Sequence, residues 1–229
     1  VKENMDIARN VALIQERIAQ ACTRAGRVPD DVKLLAVTKY ASDEAVRGLL
    51  ACGLRCFGES RVQDGVRRMA SFGPETEWHL IGTLQRNKVR YCRDFALIHS
   101  LDRWPLAVEL EKRAASWGKR QDVLVQVNIS GEVSKHGLAP ADAMGFVQRV
   151  VEECPHLRVR GIMTMAPLVP PAETRPYFRK ARELYEAVQR ELGLVWDTLS
   201  MGMSGDFEVA VEEGATLVRI GTALFREEE

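Results

Sequence analysis

Leu199-Ser-Met-Gly-Met-Ser-Gly-Asp206 and, after a short polar helix, Leu217-Val-Arg-Ile-Gly-Thr-Ala-Leu-Phe225 decide the fold of this chain. Each is an apolar strand ending in a small-residue turn that opens a helix, which aims backbone N–H groups and a helix N-terminus at a phosphate. Arg219 sits inside the second strand. A cation there is costly without a partner, so the segment reads as a binding site for an anionic, partly aromatic ligand.

Upstream, strand and helix alternate. An amphipathic helix from about Met5 to Ala25 ends at Gly26, and Val32–Thr38 reads as a buried strand with Lys39 at its C-terminal end. Ser42 caps a helix from Asp43 to about Cys52; a short strand at 55–57 and a helix from about Ser60 to Ala70 follow. Strands at 78–81, 96–100, 123–127 and 159–163 then alternate with helices near 85–93, 104–117, 140–153 and 173–192. With the two terminal strands the count is eight, and no hairpin dipeptide joins neighbours. That is the pattern of an α/β fold, a parallel sheet closed into a (β/α)8 TIM-type barrel, with an open doubly wound sheet as runner-up. Pro167, Pro170 and Pro171 form a local loop, so a single domain over residues 1–229 is expected.

The 229 residues are 46% hydrophobic and 28% charged, with 32 Lys+Arg against 32 Asp+Glu. Zero net charge without a basic block argues against a nucleic-acid partner. No apolar run approaches the ~18 residues of a membrane span, and no signal-peptide pattern opens the chain, so a cytoplasmic protein is expected. Five scattered cysteines fit a reducing compartment. Cys52 and Cys56 lack a second Cys pair or a neighbouring His in sequence, so no metal site is expected.

In such barrels the site forms at the C-terminal strand ends, with phosphate at the loops after strands seven and eight. Those loops are Ser200–Ser204, with Ser204 placed to cap the helix near Asp206, and Gly221-Thr222. Lys39 ends strand one, which closes against strand eight beside Arg219. If Leu35, Val37 and Lys39 face inward, the neighbouring cation and burial favour the neutral amine of Lys39, the form that attacks an aldehyde. Phosphate cradle, nucleophilic lysine and an arginine for a ring nitrogen together describe pyridoxal 5′-phosphate (PLP) bound as a Schiff base. An arginine that only donates to the pyridine nitrogen discourages its protonation and restrains carbanion chemistry.

These residues resemble the pyridoxal phosphate homeostasis proteins, related to the N-terminal barrel of alanine racemase. The resemblance is carried by Leu35-Ala-Val-Thr-Lys39, Phe57-Gly-Glu-Ser60, Trp78–Lys88, His99-Ser-Leu-Asp102, Val127–Glu132 with Ser134-Lys135, Gly161–Met165 and the two C-terminal loops. It implies a fold-type III barrel, Lys39 as the Schiff-base lysine and Arg219 facing the pyridine nitrogen. It places phosphate on Ser200, Ser204, Gly221 and Thr222, with Met201 and Gly202 in the same loop. It also implies cofactor supply and buffering, with delivery to apo PLP-dependent enzymes, and no established turnover. The family usually has Asn where Ser60 stands; Ser60 is taken as a contact of shorter reach, with a water filling the difference.

His79, inside an apolar strand, reads as a satisfied core histidine. Met163 and Met165 alternate inward; core filling is the ordinary reading, and Met165 is carried as a cofactor contact. Asn87, Lys88 and Lys135 read as solvated residues to which the resemblance gives places at the site mouth. A racemase of the same barrel type would need a second base from a C-terminal β-domain, whereas this chain ends at Glu229 and Tyr40 alternates away from Lys39. Little racemisation and a monomer are therefore expected. A sugar-phosphate isomerase or lyase would use the phosphate loops without an aldehyde cofactor, and would be colourless.

Overall fold

The computed structural model describes residues 2–132 and 135–226; Ser134 of the quoted motif lies outside them. Eight parallel strands close into a barrel in chain order: β1 Lys33–Val37, β2 Cys56–Glu59, β3 Glu77–Leu80, β4 Leu97–Leu101, β5 Gln121–Gln126, β6 Leu157–Met163, β7 Thr198–Ser200 and β8 Leu217–Ile220. The seam is made by β1 on β8, with Leu35 opposite Arg219 and Ala36 opposite Ile220. The helices are α1 Lys2–Arg24, α2 Asp43–Ala51, α3 Val62–Phe72, α4 Trp104–Trp117, α5 Pro140–Glu153, α6 Arg175–Leu192 and α7 Phe207–Glu212. None of the described helices is long and apolar enough to cross a membrane.

Alternation along each strand sorts the side chains. Leu34 and Ala36 of β1 join the large core between barrel and helices, with Val46, Leu49, Phe57 and Val218. Leu35 faces inward against Cys56 and Leu217, with Val37 and Ile81 packed on them. A second inner cluster joins Leu97, Leu124 and Met163, with Met165 against it. Buried His79, His99, Ser200 and Arg219 also occupy the interior, so its filling is only partly the branched apolar packing usual in such barrels.

Two helical expectations change. The connection from β3 to β4 is a 3-10 segment over Arg86–Tyr91, closed by Lys88 N–H to Gln85 O and Cys92 N–H to Val89 O. Ala96 N–H must already meet Trp78 O, which leaves too little chain for an α-helix of ordinary length. After β8 there is a 3-10 turn, Thr222–Leu224, and α1 covers this part of the barrel by packing on α7, α2 and that turn. Asn10 of α1 donates to Leu224 O and Arg226 O, and Arg17 and Arg24 pair with Glu208 of α7.

Candidate functional site

A cavity of about 900 Å³ opens at the C-terminal end of the barrel. Its walls include seven residues singled out in the sequence: Lys39, Ser60, Met165, Ser204, Arg219, Gly221 and Thr222. They come from the ends of β1, β2, β6, β7 and β8, and only barrel closure brings them together.

Lys39 stands two residues beyond β1, in an exposed turn rather than on the strand. Its Nζ lies over the ring of Tyr40, 5.0 Å from the centroid, so the two side chains meet instead of pointing apart as strict alternation predicts. The turn breaks the strand period. It is held from below: Thr38 Oγ1 donates to Glu59 Oε1 at 2.6 Å, and buried Arg68 donates to Ala41 O and Asp43. Burial raises the Glu59 carboxyl above its ordinary range, against the Thr38 hydrogen bond and the Arg68 charge.

Arg219 is 4% exposed, and no carboxylate lies within ion-pair distance of it among the described residues. It donates to Ser200 Oγ at 2.7 Å and to Thr164 O at 2.9 Å. Burial pushes its guanidinium down to about 10, opposed by the charge of Asp206, so it remains a cation at neutral pH. A guanidinium has five N–H donors, so the remainder are available to the cavity. A buried cation without an adjacent anion fits a ligand that brings an acceptor.

A further stretch of the wall is built from Met203-Ser204-Gly205 and Gly221-Thr222. Ser204 Oγ accepts from Gly221 N and Ala223 N, both at 3.3 Å, so it links the two loops. It does not cap α7, whose N-cap is Asp206; the Asp206 carboxylate accepts from Met203 N at 2.7 Å. With six residues in α7 and three in the 3-10 turn, little macrodipole is available to an anion. The donors are local: the backbone N–H groups of Gly205 and Thr222 meet no backbone acceptor among the described residues. They and the Thr222 hydroxyl suit the oxygens of a phosphate.

Ser200, Met201 and Gly202 do not line this cavity. Ser200 ends β7 facing inward and is fully buried, bonded to Arg219 and to His99 Nδ1 at 3.1 Å. Met201 packs in the outer core. Gly202, at φ +93°, turns the chain under α7 and accepts from Arg219 N. The part of this loop that borders the cavity therefore begins at Met203. Asn87 and Lys88 also lie off the cavity, and Lys135 is tied to Ala166 O at 3.0 Å and to Glu132.

Tyr40, Gln126, Thr83 and His136 line the cavity without having been singled out for it. Gln126, at the C-terminal end of β5, carries the signal that position gives any inward polar residue. Nothing in the local sequence of the others marks them. At the far end of the barrel, Cys56, Glu77 and His79 place their ligand-type atoms within 4.8 Å of one another, a grouping invisible in the spacing of the cysteines. Lys33 already pairs with Glu77 there, and burial pushes the Cys56 thiol up to about 12, both unfavourable to a cation.

The alanine racemase N-terminal domain model matches residues 7–228. The pyridoxal phosphate homeostasis protein of Aquifex aeolicus is 46% identical over 226 residues, which is 97% of this chain and 99% of the relative. Among solved structures, a protein of unknown function from Bifidobacterium adolescentis superposes with a TM-score of 0.89 at 33% identity, covering 97% of this chain and 96% of that one. PipY of Synechococcus elongatus with PLP bound gives 0.79 at 36% identity, over 91% of this chain and all of that one. By sequence along almost its whole length, the chain belongs to the pyridoxal phosphate homeostasis protein family, on a barrel of the alanine racemase N-terminal type.

Proposed function

We propose that this protein binds PLP reversibly and serves its intracellular supply and buffering, without catalytic turnover of its own. The carrying observation is Arg219, a buried cation with no carboxylate within ion-pair distance among the described residues, opening on the same cavity as Lys39 and the Ser204–Gly205 and Gly221–Thr222 wall. In this reading Lys39 would hold the cofactor through its aldehyde as a Schiff base, Ser204, Gly205, Gly221 and Thr222 would hold the phosphate, Arg219 would serve the pyridine nitrogen, and Ser60 and Met165 would serve the ring. The bound group would supply an electron sink. Arg219 weakens it by keeping the ring nitrogen unprotonated, so holding is favoured over reacting.

One feature supports a carrier over a racemase. Racemisation needs bases on opposite faces of a planar carbanion. Tyr40, the tyrosine of the cavity wall, sits against Lys39 instead of across from it. A monomer in the cytoplasm that passes PLP to apo-enzymes completes the proposal.

Freshly purified protein is expected to be yellow, and borohydride is expected to fix a phosphopyridoxyl group on Lys39, located by peptide mass spectrometry. Lys39→Ala is expected to be colourless and to take no label. A label on another lysine would sink the assignment of Lys39, and steady conversion of L-alanine to D-alanine would overturn the non-catalytic reading.

A further inference from the structure

A line of polar groups, buried from Arg219 to His79 and half-exposed at Glu77 and Lys33, crosses the barrel interior from the cavity to the opposite end. Arg219 Nη1 lies 2.7 Å from Ser200 Oγ, and Ser200 Oγ 3.1 Å from His99 Nδ1. His99 Nε2 lies 3.0 Å from His79 Nδ1, and His79 Nε2 2.7 Å from Glu77 Oε1. Lys33 Nζ closes the line on Glu77 at 2.8 Å. Four strands contribute its central members: β8, β7, β4 and β3.

The two ends fix the direction of every hydrogen bond between them. Arginine only donates, and an ionised carboxylate only accepts. Glu77 is ionised: its hydrogen bonds from His79 and Lys33 hold it down to about 2, against burial. His79 therefore donates from Nε2 and accepts at Nδ1; His99 then donates from Nε2 and accepts at Nδ1; Ser200 donates to His99 and accepts from Arg219. No donor is left facing a donor. Burial favours the neutral form of both imidazoles: it lowers His79 against the pull of Glu77, and burial, His79 and Arg219 hold His99 well down. The charged groups facing this line are Lys33 of β1, Glu77 of β3, Arg160 of β6, Arg219 of β8 and, acting on Arg219, Asp206 ahead of α7, with the neutral Cys56 thiol of β2 3.6 Å from His79 Nε2.

We infer that Glu77, His79, His99 and Ser200 are positioning residues for the cofactor's ring nitrogen: a one-directional relay that presents Arg219 to the cavity as a fixed donor. The arrangement solves a conflict. A carboxylate beside Arg219 would stabilise its charge but occupy the N–H groups a ligand needs. With Asp206 acting on it only from beyond ion-pair distance and the relay's carboxylate at the far end of the barrel, Arg219 keeps those donors open. The relay also rejects a proton at His99, where a second buried cation would face Arg219.

The inference rests on the PLP reading, and the experiment separates the two. Side-chain 15N NMR of the cofactor-free protein, labelled at histidine, is expected to find His79 and His99 both as neutral Nε2–H tautomers; an Nδ1–H form at either position overturns the relay. Fluorescence titration with PLP is then applied to the parent, Glu77→Gln and Ser200→Ala. Glu77→Gln, whose amide both donates and accepts, is expected to mix the tautomers and weaken PLP binding about tenfold, the worth of one hydrogen bond to a charged group. Ser200→Ala is expected to weaken binding similarly while leaving both tautomers as in the parent, which loss of stability alone would not produce. Affinity unchanged in both variants overturns the positioning role. A parent with the expected tautomers that binds no PLP leaves the relay standing and removes the PLP reading.

Discussion

Gly202 adopts φ +93°, and a Cβ there would sit 2.6 Å from the Ala210 Cβ and 3.0 Å from the Phe207 Cα. Backbone conformation and packing both reject a side chain, at the point where the chain turns from the barrel interior to the cavity wall. Gly202→Ala is expected to destabilise the protein by about 2–4 kcal/mol, measured by urea unfolding, since strain and overpacking add. A loss under about 0.5 kcal/mol, as at an ordinary surface site, would contradict this placement. Ser200, two residues earlier, shows the reverse ambiguity. Its sequence context, small and polar before a glycine, fits a phosphate loop as well as a strand end. What separates the readings is the face on which the residue falls, and β7 extends just far enough to turn Ser200 inward.

At the scale of elements, the Lys39 turn depends on α2 as much as on β1. Ser42 caps α2 by accepting from Ala45 N at 3.0 Å, and it also borders the cavity. Ser42→Ala is expected to cost about 1 kcal/mol of stability in urea titrations, in line with other N-cap losses; no change would mean the cap does not hold the turn. The strands and most helices could be read from apolar runs because the outer core is continuous and each strand contributes to it. The 3-10 segment at Arg86–Tyr91 could not, because its composition suits an α-helix and the constraint is the distance left to cover. The polar interior was hidden for a different reason. His79, His99 and Ser200 are each ordinary on their own strands, and only closure of the barrel places His79 within 3.0 Å and Ser200 within 3.1 Å of His99.

For the whole molecule, the buried imidazoles set the response to acid. The folded-state affinity of His79 and His99 for protons is depressed, so below about pH 6.5 the unfolded chain binds more protons than the folded one. Their stabilisation is present above that pH and is lost as pH falls. Glu77, held to about 2 against an ordinary 4.5, acts in the same sense over a lower window. Thermal unfolding from pH 8 to pH 4 is expected to show stability dropping below pH 6.5, by at most about 1.4 kcal/mol per pH unit for each histidine. A flat profile between pH 6.5 and 5 would show that the imidazoles are not buried neutral. The cavity also has a place in the mechanics of the fold. β7 and β8 are in register at one position, Ser200 opposite Leu217, whereas β8 and β1 match at four. A phosphate gripped between Ser204–Gly205 and Gly221–Thr222 would rivet the thinnest seam of the cylinder. Amide exchange at Leu199–Met201 and Leu217–Arg219 is accordingly expected to slow on addition of PLP more than in β5 and β6; uniform slowing would argue against it. On the proposed reading, carrying cargo and staying shut would be one event, and an emptied barrel would announce itself by breathing along a single line.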